Sequence, residues 1–367
     1  MSSILQQSLQ DRRLAAPLLE EIKQTAADIS GIVRVMEVCG THTVAIRRSG
    51  VHSLLPENIL LVSGPGCPVC VTPTSYIDNA LHLLETTKAT VVSFGDMLKV
   101  PGSDGRNLAG YLGRGRVRMV YSPSELLPIA RDGADEVVFL AIGFETTIPT
   151  VAAAFLQARR AGIENLFLYT AFKTVPPALR VLLDSPDRNL DGLLLPGHVS
   201  VIIGEQPYRF LEERGGVPGV ITGFEPLDLL QGIAAVLKQI ARGEQRVENA
   251  YTRAVRPNGN PKAREIMERL LEPVDALWRG FGRIPASGLA LGRAFREADA
   301  ELHFSLPPLY NVEPPGCVCA RVLQGRVLPT ECTLFGKRCT PETPVGPCMV
   351  SSEGTCAASF RYGDLEP

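Results

Sequence analysis

The chain of 367 residues carries a formal net charge of −2, and 45% of its residues are hydrophobic, as in ordinary globular proteins. The near-neutral charge excludes an electrostatic drive toward nucleic acid or an anionic membrane, and no hydrophobic run approaches the roughly 18 residues that a membrane span needs. A chain of this length exceeds what one hydrophobic core usually serves, and it predicts two or three domains.

Strand and helix patterns alternate along the first two thirds of the chain. A helical pattern covers 5–29, and apolar runs that end in glycine or proline loops predict strands at 32–38, 58–64, 90–95, 116–122, 136–143, 165–171, 190–198 and 219–226. Thr72 and Pro73 predict the N-cap and first residue of one helix, and Ser122 with Glu125 predicts a capping box on another. Strands that alternate with helices predict an α/β fold with mostly parallel sheets.

We expect two parallel-sheet α/β domains followed by a small cysteine-rich domain. The predicted segments are an N-terminal helical segment (1–30), α/β domain I with CGTHT and CPVC (31–134), α/β domain II with GFETT and PGHVS (135–243), a charged helical connecting region (244–305) and the cysteine-rich domain (306–367). The last segment has too little apolar surface for a core of its own. A bound metal cluster would supply the missing folding energy.

The nine cysteines are confined to two parts of the chain. Three stand near the front, and the other six lie in the last 51 residues, at Cys317, Cys319, Cys332, Cys339, Cys348 and Cys356. Packing alone would scatter a small buried side chain such as cysteine along the sequence. The odd number and the absence of a secretory signal predict a reducing cytosol, where clustered cysteines bind metal or carry out redox chemistry.

Four glycine-rich loops follow predicted strands, at 39–43, 64–70, 143–147 and 196–198. Ligand sites of parallel sheets lie at the carboxyl ends of strands, so these loops are expected to converge on one cleft. Cys39 would then lie at a helix N-terminus, where the dipole stabilises a thiolate, and His42 beside it would tune or protonate a ligand. The alternative is a buried, inert Cys39 and a structural histidine.

The CPVC sequence has the spacing of a redox motif, and it lies between a predicted strand and a predicted helix. Cys67 and Cys70 are therefore candidates for a redox-active dithiol. Half of a zinc site or a chance pair in a tight turn are the alternatives. Cys39 is free to join the pair as a third thiolate around one metal ion.

Glu145 in GFETT and His198 in PGHVS are the best polar candidates to line the cleft, and Asp96 after the strand at 90–95 has similar standing. A capping or core hydrogen-bonding role explains each of them equally well. The charged residues of 243–300 are interpreted as solvated helix faces.

The six late cysteines have the spacing C-x-C-x12-C-x6-C-x8-C-x7-C. Paired C-x2-C knuckles are missing, which argues against a zinc ribbon, and so is the bacterial ferredoxin run. Four thiolates would suffice for a [4Fe–4S] cluster and would leave two as a dithiol. Zinc or free thiols are the alternatives.

Five motifs in order resemble the HypD family of [NiFe]-hydrogenase maturation proteins over nearly the whole chain: EVCGTHT, GPGCPVC, GFETT, PGHVS and LFGKRCTPETPVGPCMVSSEGTCAA. The resemblance implies two α/β domains and a third domain with a [4Fe–4S] cluster. It also implies a scaffold complex with the small partner HypC. On that scaffold an iron receives cyanide from HypE, and carbon monoxide, to form an Fe(CN)2CO unit. The role is that of a maturation scaffold with redox activity rather than a conventional turnover enzyme.

The same resemblance assigns roles to individual cysteines. Cys39 would share the iron with a HypC cysteine, and Cys67 with Cys70 would form the redox dithiol beside it. The cluster region is similar to ferredoxin:thioredoxin reductase, in which four cysteines bind the cluster and two form a nearby disulfide. That similarity implies cluster ligands Cys319, Cys332, Cys339 and Cys348, with Cys317 and Cys356 as the redox pair.

Two other functional classes fit the residues. A free-standing iron–sulfur thiol–disulfide oxidoreductase would use CPVC and the cluster without Cys39. A zinc-stabilised interaction protein would bind zinc and contain no sulfide.

Overall fold

A computed structural model describes residues 11–133, 135–213 and 215–363. The predicted helix at 5–29 is confirmed in part as α1, Arg12–Ala27, and residues 1–10 lie outside the described residues. The strands are β1 Val33–Glu37, β2 Ile59–Ser63, β3 Thr90–Phe94, β4 Val117–Val120, β5 Val137–Gly143, β6 Leu166–Lys173, β7 Gly192–Pro196, β8 Gly219–Thr222, β9 Val247–Asn249, β10 Leu271–Trp278 and β11 Gly282–Leu291. All eight strands predicted before residue 227 are therefore confirmed, with ends shifted by one or more residues.

The helices after α1 are α2 Gly40–Ser49, α3 Pro68–Val71, α4 Thr74–Thr86, α5 Gly95–Leu98, α6 Leu126–Asp132, α7 Ile148–Arg160, α8 Val175–Asp184, α9 Gly197–Ile203, α10 Pro226–Ala241, α11 Pro261–Leu270, α12 Ala300–His303, α13 Cys319–Leu323, α14 Pro347–Val350 and α15 Thr355–Tyr362. The capping box of Ser122 and Glu125 is confirmed. The predicted N-cap Thr72 is wrong by one residue. Pro73 occupies the N-cap position of α4, and the Thr72 hydroxyl donates to Pro68 O in the preceding turn. Within the described residues, every helix is too short or too polar to cross a bilayer.

The strands form two sheets, and each sheet takes strands from both halves of the chain. The order in the five-stranded sheet is β2-β1-β7-β8-β9, with all pairs parallel. The order in the six-stranded sheet is β10-β11-β6-β5-β3-β4, parallel from β6 to β4 and antiparallel at β10 and β11. The α/β class is confirmed. The predicted boundary at 134/135 is wrong, because a cut there would separate β1 from β7 and β3 from β5.

The prediction of a helical region at 244–305 is also wrong. Only 261–270 forms a helix of two or more turns, and β10 and β11 form an antiparallel hairpin that extends the six-stranded sheet. Gly280 and Gly282, both with positive φ, lie between or at the ends of these strands, where a tight turn requires such angles. Much of β10 is half-buried or exposed, so its charged residues resemble those of a solvated helix.

One hydrophobic cluster contains buried residues of both sheets, including Met36 of β1 and Leu140 of β5. It also contains Cys319 and Cys348, so the late cysteines pack against the α/β core rather than apart from it. A smaller cluster of Phe335, Cys339, Met349 and Ala357 lies within the cysteine-rich segment. The two sheets and the C-terminal segment therefore share buried surface around the strand ends.

Candidate functional site

The four glycine-rich loops meet at one cavity of about 120 Å³. Its lining includes residues from each loop and one from the C-terminal segment: Val38, Cys39, Thr41, Gly66, Pro68, Phe144, Thr146, Thr147, Val175, Pro196, His198, Val199 and Glu353. The loops follow β1, β2, β5 and β7, so the cavity lies at the carboxyl ends of strands from both sheets. This is the usual position of ligand sites in parallel sheets.

Backbone contacts hold the first two loops together. Gly40 N donates to Gly66 O at 3.1 Å. A Cβ on Gly66 would lie 1.8 Å from Val38 O, so the close approach of the two loops requires glycine there. This contact fixes the Cys39 loop beside the CPVC loop.

Cys39 lies at the N-cap of α2, as the sequence predicts, and only 8% of its surface is exposed. Burial, with a further contribution from the nearby Glu353 carboxylate, raises the pKa of the Cys39 thiol to about 11. Backbone N–H groups of Thr41 and His42 act in the opposite direction but do not prevail. The expectation of a stabilised thiolate is therefore wrong for the protein alone. Cys39 is a protonated thiol at neutral pH until something replaces the proton.

His42 does not line the cavity among the residues described there; its ring is buried beside β8. Its Nε2 lies 3.3 Å from Thr222 O and 3.1 Å from Gly223 O, and its ring stacks on Phe224. Burial lowers the pKa of His42 to about 4, so the ring is neutral and structural. His198 stacks on Phe224 as well, with ring centroids 3.8 Å apart, and it lines the cavity. His198 is thus the histidine placed to face a ligand.

Glu145 is buried behind the cavity wall. Its Oε1 accepts a hydrogen bond from Val175 N at 2.9 Å, at the start of α8, and within the described residues its Oε2 has no partner. Burial raises the pKa of Glu145 to about 7. Both roles considered from the sequence therefore stay open for Glu145. The hydrogen bond to Val175 N is a helix-capping contact, and a pKa near neutrality suits a group that exchanges protons.

The raised pKa of Glu145 predicts a pH-dependent contribution to stability. A carboxyl whose folded pKa exceeds its ordinary value of 4.5 stabilises the fold fully below pH 4.5, and this stabilisation is lost as pH rises through about 7. Glu145→Gln keeps the acceptor for Val175 N, so the free energy of unfolding of the variant relative to wild type should rise by about 1–3 kcal/mol between pH 4.5 and pH 8. Denaturant unfolding at both pH values measures the difference.

The variant is compared with wild type at each pH because burial also lowers the pKa of Lys173 to about 7. Lys173 makes the free energy of unfolding rise with pH, opposite to Glu145, and it does so in both proteins. Glu57→Gln, at an exposed carboxylate, is the matched control. Equal pH profiles for the two variants would show that Glu145 is not the titrating group.

Cys67 and Cys70 form a disulfide at the start of α3. Gly66 and Pro68 on either side of Cys67 line the cavity. In the disulfide state neither sulfur is a thiolate ligand, so this structure does not bring Cys39, Cys67 and Cys70 together as a three-thiolate site. The arrangement instead places a dithiol/disulfide couple next to the Cys39 cavity.

All six late cysteines line a second cavity, whose volume is about 20 Å³. Cys319 Sγ lies 2.7 Å from Cys348 Sγ. Hydrogen bonding from Cys317 and Cys348, together with the positive charge of Arg279, holds the pKa of Cys319 well below its usual range. The same contact with Cys319, and burial, raise the pKa of Cys317.

The donor set of this cavity suits a soft metal centre, because six thiols converge there. Its volume is too small for an iron–sulfur group unless the sulfurs move apart. Across residues 11–133, 135–213 and 215–363, no three His, Cys, Asp or Glu side chains are arranged to hold a metal ion. The six thiols are chemically suited to bind a cluster, and the loops that carry them would have to move apart to admit one.

Sequence reasoning missed Glu353, which lines the Cys39 cavity. Thr41 Oγ1 donates to Glu353 Oε1 at 2.6 Å. Its signal in the sequence is a lone carboxylate in SSEGT, between two of the late cysteines. Asp96 lies nearby, and its Oδ2 accepts hydrogen bonds from Ser351 and Ser352. The cleft is therefore built from the C-terminal segment as well as from the strand-end loops.

The fold and the site define an α/β protein with a buried thiol, an adjacent disulfide and a six-cysteine cavity. A family profile described as "HypD: Hydrogenase formation hypA family" matches residues 13–363. The chain belongs to the HypD family of hydrogenase maturation factors.

Relatives from bacteria and an archaeon are similar to the chain over nearly its full length. Hydrogenase maturation factor HypD2 of Bradyrhizobium diazoefficiens is 44% identical over 362 residues, which cover 96% of this chain and 95% of the relative. A putative hydrogenase expression/formation protein of Methanocaldococcus jannaschii is 41% identical over 357 residues, covering 97% and 99%. Hydrogenase maturation factor HypD of Escherichia coli K12 is 40% identical over 355 residues, covering 95% of each chain.

Proposed function

We propose that the protein is the scaffold and redox component on which the Fe(CN)2CO unit of [NiFe]-hydrogenases is assembled. The observation that carries the proposal is the cavity at Cys39. Among the described residues it is the one cysteine that lines this cavity, and the cavity is walled by loops from both sheets. A single protein thiolate leaves the other positions of an iron open to a partner's ligand and to small diatomic ligands.

Iron is the cargo of this reaction, and Cys39 is its proposed anchor on the chain. Because burial raises the pKa of Cys39 to about 11, iron binding must displace the thiol proton. His198 and Glu353 are the titratable side chains that line the same cavity beside Cys39, and they are the candidates to receive that proton. The neighbouring apolar side chain of Phe144 would limit water around the bound ligands.

The proposed resident cofactor is a [4Fe–4S] cluster held by Cys319, Cys332, Cys339 and Cys348, with Cys317 and Cys356 as a redox pair. When bound, such a cluster supplies single electrons. The chain's own contribution is to place the Cys67–Cys70 couple beside the Cys39 cavity, where it can accept or release two electrons as disulfide or dithiol. Residues 306–367 are accordingly proposed as an iron–sulfur domain, and the described part of this segment packs on the α/β core.

The proposed partners are a small HypC-type protein, which would close over the Cys39 loop, and a HypE-type donor of cyanide. Assembly would take place in the cytosol. A decisive experiment isolates this protein together with a HypC-type protein from cells that mature a [NiFe]-hydrogenase and so supply the HypE-type cyanide donor, by gel filtration without oxygen, and measures iron, sulfide and infrared absorption. A 1:1 complex with bands of iron-bound cyanide and carbon monoxide is expected. Independent elution at micromolar concentrations, or a complex without those bands, would contradict the proposal.

The Cys67–Cys70 disulfide also supports a second candidate, a free-standing thiol–disulfide oxidoreductase. Such an enzyme would reduce or oxidise dithiol substrates alone and would not need Cys39. Turnover of a model disulfide by wild type and by Cys39→Ala separates the two functions. The zinc-stabilised interaction protein is tested by the same metal analysis, which would find zinc and no sulfide.

A further inference from the structure

A short segment of the C-terminal region connects the late-cysteine cavity to the Cys39 cavity. Residues 351–353, here called the strap, lie between Cys348 and Cys356, which both line the late-cysteine cavity. The strap also lines a larger cavity of about 550 Å³ that lies outside the Cys39 cavity. Two cysteines of one site therefore flank the segment that borders the other.

One end of the strap is fastened to the six-stranded sheet. Asp96, just beyond β3, accepts three hydrogen bonds at a single oxygen, Oδ2. They come from Ser351 Oγ at 3.1 Å, Ser352 N at 2.8 Å and Ser352 Oγ at 2.9 Å. An acceptor that gathers three bonds from two consecutive residues acts as a latch for this segment.

The other end of the strap is fastened beside Cys39. Thr41 Oγ1 donates a hydrogen bond to Glu353 Oε1, and this bond links the strap to α2. The two backbones are also close, because a Cβ on Gly40 would lie 2.6 Å from Glu353 O. Glu353 is also among the residues that line both the outer and the inner cavity, with Pro68, Thr146 and Thr147. The strap therefore stands at the boundary between the outer cavity and Cys39.

The strap is tightly coupled to the late cysteines through Gly354. A Cβ on Gly354 would lie 2.1 Å from Cys348 O, and Gly354 N donates to Ser351 O at 3.0 Å. Helix α15, which carries Cys356, begins at the next residue and packs against α2. Gly354 therefore joins the strap directly to the backbone of Cys348 and to the helix that carries Cys356.

We propose that the strap is a gate between the outer cavity and Cys39, that Asp96 is its latch, and that the state of the late-cysteine cavity sets its position. When the late-cysteine loops move, as they would to admit a metal group, Glu353 moves relative to Thr41 and access to Cys39 changes. Only the identity of the species that passes the gate, an iron and its small ligands, depends on the proposed function. The physical claim concerns access to the Cys39 thiol.

Alkylation of Cys39 tests the gate without cargo iron and without a partner. Full-length protein is treated without oxygen with iodoacetamide, which is small, and with a bulky N-aryl maleimide, and the Cys39 peptide is quantified by mass spectrometry. Asp96→Ala removes the acceptor of three hydrogen bonds, so the maleimide rate should rise roughly tenfold and the iodoacetamide rate by less than about threefold. The dependence on reagent size distinguishes an opened gate from a changed thiol pKa, which would scale both rates alike.

Asp104→Ala is the matched control, because Asp104 also accepts backbone and side-chain hydrogen bonds but lines neither cavity. Amide hydrogen exchange should quicken in 351–354 for Asp96→Ala and stay unchanged in β5. An unchanged maleimide rate, or equal increases for both aspartate variants, would overturn the gate.

The coupling is tested by a double-mutant cycle. Cys348→Ala should raise the maleimide rate at Cys39 in wild type but add little in Asp96→Ala, since the latch is then already open. If the effects of the two substitutions on the maleimide rate multiply fully in the double variant, the late cysteines and the strap act independently. Failure of either test leaves the iron proposal intact, because neither measures iron.

Discussion

Cys39→Ala is expected to abolish the infrared bands of iron-bound cyanide and carbon monoxide in the complex with a HypC-type partner. Loss of a group that only hydrogen-bonds to a metal ligand already lowers metal affinity or activity roughly 10–100-fold. Loss of the proposed ligand itself should therefore lower hydrogenase maturation at least ~100-fold. The fold should survive, because the substitution removes one sulfur atom from a small cavity wall and costs about 1 kcal/mol. Infrared spectroscopy of the anaerobic complex measures the bands, and thermal unfolding checks the fold.

Val199→Ala is the matched control for that experiment. Val199 is buried in the wall of the same cavity, so its truncation disturbs packing without removing a thiol. The control should keep the bands. Bands of wild-type intensity in Cys39→Ala would mean that Cys39 is not the essential anchor.

The eight strands before residue 227 could be predicted from the sequence because each is a short apolar run with its own glycine or proline ending. Their arrangement could not. Parallel pairing joins strands distant in the sequence, and no local pattern marks β7 as the neighbour of β1. The predicted domain boundary therefore followed chain order, whereas the sheets interleave.

The 244–305 region shows a different limit. Its charged residues lie on a hairpin at the edge of a sheet, where half of each strand faces solvent. Composition there resembles that of a solvated helix, and the glycines at 280 and 282 were the better signal, because a closely spaced glycine pair is typical of a hairpin turn. Reading the turn before the charges would have predicted the strands.

The cleft itself was accessible to sequence reasoning, since four strand-end loops identify an edge of the sheets. The orientation of individual side chains was not. His42 and His198 both lie in the first turn of a helix that follows a strand, yet only His198 lines the cavity, because His42 is buried against Phe224 and the carbonyls of Thr222 and Gly223. Glu353 reaches the cavity through a contact with Thr41 across 312 residues of sequence. Such contacts follow from tertiary packing alone.

Replacing Cys339 or Cys348 with alanine is expected to release the proposed cluster and to loosen the whole C-terminal segment. In the small local core only Phe335, Met349 and Ala357 are buried hydrophobic residues other than cysteine. A core of that size stabilises little by itself, so a bound metal would carry much of the folding free energy. Structural metal sites contribute on the order of 10 kcal/mol, whereas truncation of a buried cysteine without metal costs about 1 kcal/mol.

The two cases are separated by amide hydrogen exchange of 315–363 together with iron and sulfide analysis of protein purified without oxygen. Brown wild-type protein with about four irons in its cluster is expected. Cys339→Ala and Cys348→Ala should be colourless and exchange rapidly.

Cys317→Ala and Cys356→Ala are the matched controls, because these cysteines line the same cavity but are assigned to the redox pair, and both variants should keep colour and protection. Loss of iron in a control variant would reassign the ligands. Equal small effects in all four variants, or stoichiometric zinc without sulfide in wild type, would show that no iron–sulfur cluster holds this segment, because the exchange protection would then come from packing or from zinc.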